Sequence, residues 1–135
     1  EERTDGRGRM CLNMGHTAGH AIETMSVRAV GSGEVGLRHG EAVGLGLIAE
    51  SVMGEVDGVT AMGTADRVRQ ALEIAGLPTR VEALPSDDVV VSAMLDDKKV
   101  GGGKIRAAIP TGRGGCEVVT PTTAAVVAGI AALRA

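Results

Sequence analysis

The sequence has 135 residues, 44% of them hydrophobic, and a formal net charge of −3, with a mean hydropathy of +0.15 and a pI near 5.6. That is enough chain for one domain with a real core, no apolar run approaches the ~20 residues needed to span a bilayer, and the acidic balance lacks the basic footprint of a nucleic-acid binder. Phe, Tyr and Trp are all absent, which removes the stacking platforms used on single strands and leaves a core of Leu, Val, Ile, Met and Ala.

The chain opens on "EERTDGRGRM", which is charged, has no apolar h-region of a signal peptide and no initiator Met, and reads as the start of a fragment. Cys11 follows. With only Cys116 to match it, the cysteines do not spell a disulfide scaffold, and a reducing, cytoplasmic setting is expected. Apolar and small residues recur at helical spacing over 13–25. Residues 29–36, "AVGSGEVG", carry three glycines and read as a loop, and no G-x-G-x-x-G following a strand is read in the chain. A second helix is expected over 39–53, where Val43, Leu45, Leu47, Ile48, Val52 and Met53 spread around the wheel as in a buried helix. Gly44 and Gly46 each cost that helix roughly 1 kcal/mol relative to Ala, and the expected return is close approach of another backbone.

A third helix fits 64–75, with Thr64 as N-cap, Val68, Leu72 and Ala75 as the inner stripe, and Gly76 at C′. "LPTRVEALPS" bridges to a helix opened by Ser86 and running to about Asp96, with Asp87 and Asp88 complementing the dipole in its first turn. "KIRAAIP", "TGRGG" and "CEVV" form one hairpin. Thr120 then caps a last helix with Pro121 at its first position, continuing to the chain end. The predicted fold class is mainly α, a helical domain with a small β-hairpin.

His16 and His20, in "LNMGHTAGHAIE", stand at i and i+4 and share one helix face. His-x-x-x-His is one way to hold zinc, and two hydrogen-bonded polar groups at a helix start is the other reading of the same pair. His39, in "RHGEAVGLGL", opens the second helix, so all three histidines lie near the starts of the first two helices. Zinc needs three or four ligands, of which two adjacent helices could supply two. Glu41 diverges from His39 on a helix and reads as a carboxylate behind the ligands or as a helix-start carboxylate. Arg9, Asn13, His16 and His20 extend a polar stripe suited to a carboxylate or phosphate, although Arg9 also fits a solvated face. "LDDKKVGGGKIR" places Lys98, Lys99 and Lys104 around three glycines. This is either a phosphate cradle or a solvated turn, and the Walker pattern is missing.

Taken in order, "RMCLNMGHTAGHAIE", "HGEAVGLGL", "AGLPTR" and "DDKKVGGGKIRAAIP" resemble the C-terminal domain of the 3-dehydroquinate synthase family over nearly the whole chain. The resemblance implies the helical C-terminal domain of the dehydroquinate synthase-like superfamily. It also implies a carbon–oxygen lyase of the shikimate pathway, which eliminates phosphate while closing a seven-carbon sugar-acid phosphate to 3-dehydroquinate. The implied cofactors are NAD and zinc, or another divalent metal such as cobalt. His16 and His39 would be metal ligands. Asn13, His20 and Lys99 would lie against the substrate near its phosphate, with His20 and Lys99 taking catalytic roles, and Arg9 would pair with its carboxylate. Lys98 is the alternative to Lys99.

In the family the third zinc ligand, a glutamate, and the NAD-binding domain precede the region matched here. Residues 1–135 are therefore expected to form the metal- and substrate-binding domain, to contribute no cofactor-binding residues, and to be inactive without that N-terminal partner. A homodimer is left open, and neither nucleic acid nor membrane is expected as a partner. Ala18 stands where the family carries a bulky residue, and "TMSVRAVGSGEVGLR" is longer than the family's usual segment. Two other readings of the same residues are a different sugar-phosphate cyclase or a metal-dependent alcohol dehydrogenase of the superfamily. The third is a non-catalytic metal-binding remnant. A dehydrogenase acting on substrates without phosphate gives no reason for the Arg9–Asn13–His20 stripe and the lysine pair.

Overall fold

An 18-residue helix with apolar side chains on most faces has to be wrapped, and three helices and a strand among the described residues pack on it. The computed structural model describes residues 11–25, 27–97 and 105–135. Within them the order is α1 (His16–Glu23), β1 (Arg28–Ala29), α2 (His39–Val56), α3 (Thr64–Ile74), β2 (Val81–Glu82), α4 (Asp87–Asp97), β3 (Ala107–Pro110), β4 (Cys116–Val119) and α5 (Thr123–Ala131). The central helix α2 packs against α1, α3, α5 and strand β3, while α4 closes against α1 and α5. Leu45, Ile48, Ala49 and Met53 of α2 are fully buried among Ile22, Met94, Ile109, Ile130 and Leu133. Burying each of the larger side chains is worth about 1.5–3 kcal/mol. The mainly helical class with one small hairpin is what the sequence reading expected.

The glycine expectation divides. A Cβ at Gly46 would collide with the Gly15 carbonyl oxygen and stand 2.6 Å from the Gly19 nitrogen, so α1 and α2 meet backbone to backbone there. At Gly44 the neighbour is the Leu72 side chain, 3.2 Å from the added carbon. Only one of the two glycines marks a close backbone approach.

Helix starts differ from the sequence reading by local geometry. α1 begins at His16 rather than near residue 13, because Gly15 is its N-cap in the left-handed region, with φ 82°. Asn13 sits in the turn before it, its carbonyl accepting from the His16 amide at 2.9 Å. The stripe Asn13–His16–His20 is therefore not one continuous helical face. Gly63, at φ 92°, is the N-cap of α3, and Thr64 Oγ1 donates instead to the Ala61 carbonyl at 2.6 Å. α5 is capped by Thr122, whose Oγ1 accepts from the Ala125 amide at 3.1 Å, so Pro121 precedes the cap and Thr120 has no capping part. The helix stops at Ala131 because the chain end is tied to β2, with the Val81 amide donating to the Leu133 carbonyl at 2.8 Å.

Three further expectations are corrected. β1 and β2 pair antiparallel, Arg28 opposite Glu82 and Ala29 opposite Val81, where the sequence suggested loop and bridge; strands of two residues leave no readable alternation. Gly31, Gly33 and Gly36 do stand at G-x-G-x-x-G spacing directly after β1. The strand belongs to an antiparallel pair, however, and α2 starts only at His39, so the parallel βαβ setting that holds a dinucleotide is missing from this segment. Finally, Cys11 and Cys116 are joined as a disulfide, with Cα atoms 5.9 Å apart. Packing supplies the reason: β3 lies on α2, and β4, which opens at Cys116 opposite Pro110, is carried with it towards the entry to α1.

Candidate metal and substrate site

The site grows from the first turn of α1. Gly15 offers no side chain to cap that turn, and a carboxylate from another helix does so instead. Glu50, fully buried on α2, accepts from the Gly15 amide at 2.7 Å and from the Ala18 amide at 3.1 Å. A negative charge against unsatisfied amides at a helix N-terminus is favourable. It also holds the His16 turn against α2, whose own first residue is His39.

That arrangement brings the two expected metal ligands together. The ring centroids of His16 and His39 lie 5.4 Å apart, tilted by 58°. His16 Nδ1 lies 3.2 Å from the Met14 carbonyl oxygen, and His39 Nδ1 lies 3.1 Å from Glu23 Oε1. A carbonyl or a carboxylate can only accept, so in both bonds Nδ1 carries the hydrogen, and in the neutral ring that tautomer leaves the lone pair on Nε2. Two imidazoles in that tautomer, each offering Nε2, are a donor set that fits zinc or cobalt. They make two ligands; among the described residues no group of three His, Cys, Asp or Glu side chains could hold a metal ion.

The other expected residues divide. His20 is exposed, one turn beyond His16 on the same helix face. Asn13 is exposed in the turn before α1. Glu41 accepts from the Arg38 amide at 2.9 Å, which makes it the helix-start carboxylate of α2. Arg9, Lys98, Lys99 and Lys104 lie outside the described residues. The Arg106 carbonyl accepts from Thr17 Oγ1 at 3.2 Å, so residue 106 lies beside the first turn of α1. Away from the site, burial and then the neighbouring Arg80 charge push the Arg69 guanidinium below its usual value. Arg69 ties the Thr79 and Ala132 carbonyls together at 2.9 and 2.8 Å.

Sequence reasoning missed Glu23 and Glu50. Glu23 had a signal, since seven residues from His16 is nearly two full turns and returns to the same face. Glu50 had a weaker one, an acid in the apolar run "LGLIAESVM".

Residues 1–100 match the family described as 3-dehydroquinate synthase C-terminal. The chain belongs to that family. Relatives include the 3-dehydroquinate synthase of Synechococcus sp. (strain CC9605), 38% identical over 117 residues, which cover 87% of this chain and 30% of the relative. The 3-dehydroquinate synthase of Aliivibrio fischeri (strain MJ11) is 37% identical over 122 residues, covering 90% and 32%. The chain thus spans about 30% of the length of the curated relatives it matches. Among solved structures, ValA (2-epi-5-epi-valiolone synthase) from Streptomyces hygroscopicus subsp. jinggangensis 5008, solved with NAD+ and Zn2+ bound, superposes with a TM-score of 0.70. It is 24% identical, and the match covers 90% of this chain and 32% of that one, a likeness of fold. Among the described residues no helix is long and apolar enough to cross a membrane.

Proposed function

We propose that this chain is the metal- and substrate-holding part of a 3-dehydroquinate synthase, which converts a seven-carbon sugar-acid phosphate to 3-dehydroquinate and phosphate. The observation that carries the reading is the His16–His39 pair, 5.4 Å apart with both Nδ1 atoms already engaged, in a member of that family. His16 and His39 hold a divalent metal, zinc or cobalt, through Nε2, with a further carboxylate from outside the described residues. When bound, the metal polarises a substrate oxygen and NAD accepts and returns a hydride. The remaining work of this chain is positioning. Arg9 pairs with the substrate carboxylate, while Asn13, His20 and Lys99 hold the phosphate end, which would fix the two anionic groups of the substrate. NAD is held by an N-terminal domain.

The test is phosphate release from the seven-carbon substrate with NAD and Zn2+ present. The 135-residue chain by itself should give none. The same chain fused behind the NAD-binding half of the Synechococcus relative should turn over and should lose most of that turnover with Lys99→Ala, at unchanged zinc content. A larger loss from Lys98→Ala would exchange the two lysines. A fusion that loads zinc and NAD but releases no phosphate, and instead oxidises simple alcohols, would replace the reading with a dehydrogenase.

A further inference from the structure

Glu23 ends α1, and His39 opens α2. The Glu23 carboxylate approaches His39 Nδ1 with both oxygens, Oε1 at 3.1 Å and Oε2 at 3.3 Å. The His39 side chain is 64% exposed and that of Glu23 28%. An exposed imidazole on the first residue of a helix is free in its side-chain torsions and in its tautomer. A carboxylate acceptor at Nδ1 removes both freedoms, because the ring must turn towards it and must carry its hydrogen on that nitrogen. For His16 the Met14 carbonyl does the same at 3.2 Å. The two rings are thus set by different means, one by its own backbone turn and the other by a side chain of the neighbouring helix.

We propose that Glu23 is a positioning residue for metal binding: it holds His39 in the Nδ1–H tautomer, so that Nε2 is presented to a divalent cation beside His16. The far end of α1 thereby orients the ligand that α2 contributes, and one short helix governs both histidines. This rests on the reading of His16 and His39 as the metal pair. The competing account, a surface ion pair of little energetic consequence, leaves the tautomer and the metal affinity untouched.

The experiment uses the 135-residue chain, with Zn2+ alone as the probe. Long-range proton–nitrogen correlation spectra read the His39 tautomer without metal, and calorimetry reads the Zn2+ affinity. In the unsubstituted chain His39 should be Nδ1–H. Glu23→Ala should return it to a mixture rich in Nε2–H and weaken Zn2+ binding by about 10–100-fold, with the circular dichroism spectrum unchanged. Glu23→Gln, whose amide oxygen still accepts, should keep the tautomer and lose less affinity than Glu23→Ala. Wild-type affinity in Glu23→Ala alongside lost affinity in His39→Ala would overturn the proposal, as would mixed tautomers in the unsubstituted chain. A loss in Glu23→Gln as deep as in His39→Ala would make Glu23 a ligand and overturn it too. If His16→Ala and His39→Ala both leave Zn2+ affinity unchanged, the metal pair itself is wrong, and the proposal falls with it whatever the tautomer.

Discussion

Glu50 accepts the Gly15 amide hydrogen at 2.7 Å, across 35 positions of sequence. The carboxylate of one helix is the cap of another, and it is fully buried in doing so. Removing it leaves the Gly15 and Ala18 amides without that acceptor in a closed interior, the costly side of hydrogen-bond energetics. Glu50→Ala should therefore lower stability by about 2–4 kcal/mol, read as a fall in the urea midpoint at constant slope. Glu50→Gln, which keeps one acceptor oxygen, should cost less. A change within about 0.5 kcal/mol for Glu50→Ala would be the size of an ordinary surface substitution and would refute the capping role.

Gly46 and Gly44 lie on the same helix and predict opposite outcomes. On propensity alone, Ala at either position would favour α2 by roughly 1 kcal/mol. At Gly46 the new methyl meets the backbone of Gly15 and Gly19, which cannot move without moving the His16 turn. Gly46→Ala should be destabilising by about 1–3 kcal/mol and should weaken metal binding. Gly44→Ala meets only the end of the Leu72 side chain and should be near neutral. Equal effects at the two sites would show that helix propensity, and not the helix contact, decides.

The histidines should separate by role. His16→Ala and His39→Ala should each abolish tight Zn2+ binding, whereas His20→Ala should leave the metal in place and weaken binding of the phosphorylated substrate to the complete enzyme. Metal analysis of the purified variants, followed by KM measurements on those that keep zinc, makes the distinction. Equal zinc loss from all three would end the division.

The Cys11–Cys116 bond closes a sequence separation of 105 residues. In the chain-entropy account a loop of that size is worth about 4–5 kcal/mol. Reduction, or Cys116→Ser, should lower stability by an amount of that order, seen as a drop in the unfolding midpoint when reductant is added. Thiol titration of the unfolded, unreduced chain should find no free thiol. Two titrating thiols and no response to reductant would mean that the bond does not form in solution.

Much of this molecule could be read from its residues in order. The apolar wheel of α2, the hairpin around "TGRGG" and Gly76 at the end of α3 follow from short-range rules, and the choice of His16 and His39 as a pair comes from the family resemblance. Periodicity marks a buried helix, a glycine marks a left-handed stop, and a specific set of motifs carries a family's site. What could not be read depends on contacts between distant segments. Two-residue strands such as β1 and β2 exist only because each finds the other, and the disulfide exists because a hairpin laid on α2 brings Cys116 to Cys11. Gly15 displaces the start of α1 because a left-handed residue there is stabilised by Glu50 from another helix. The same holds for Glu23, whose spacing from His16 shows its face but not its partner. Residue order determined which side chains could do chemistry, because composition and periodicity are local. Which nitrogen of His39 carries its hydrogen was decided only when α1 and α2 packed and brought Glu23 to its ring, since that choice is made by an acceptor sixteen residues away.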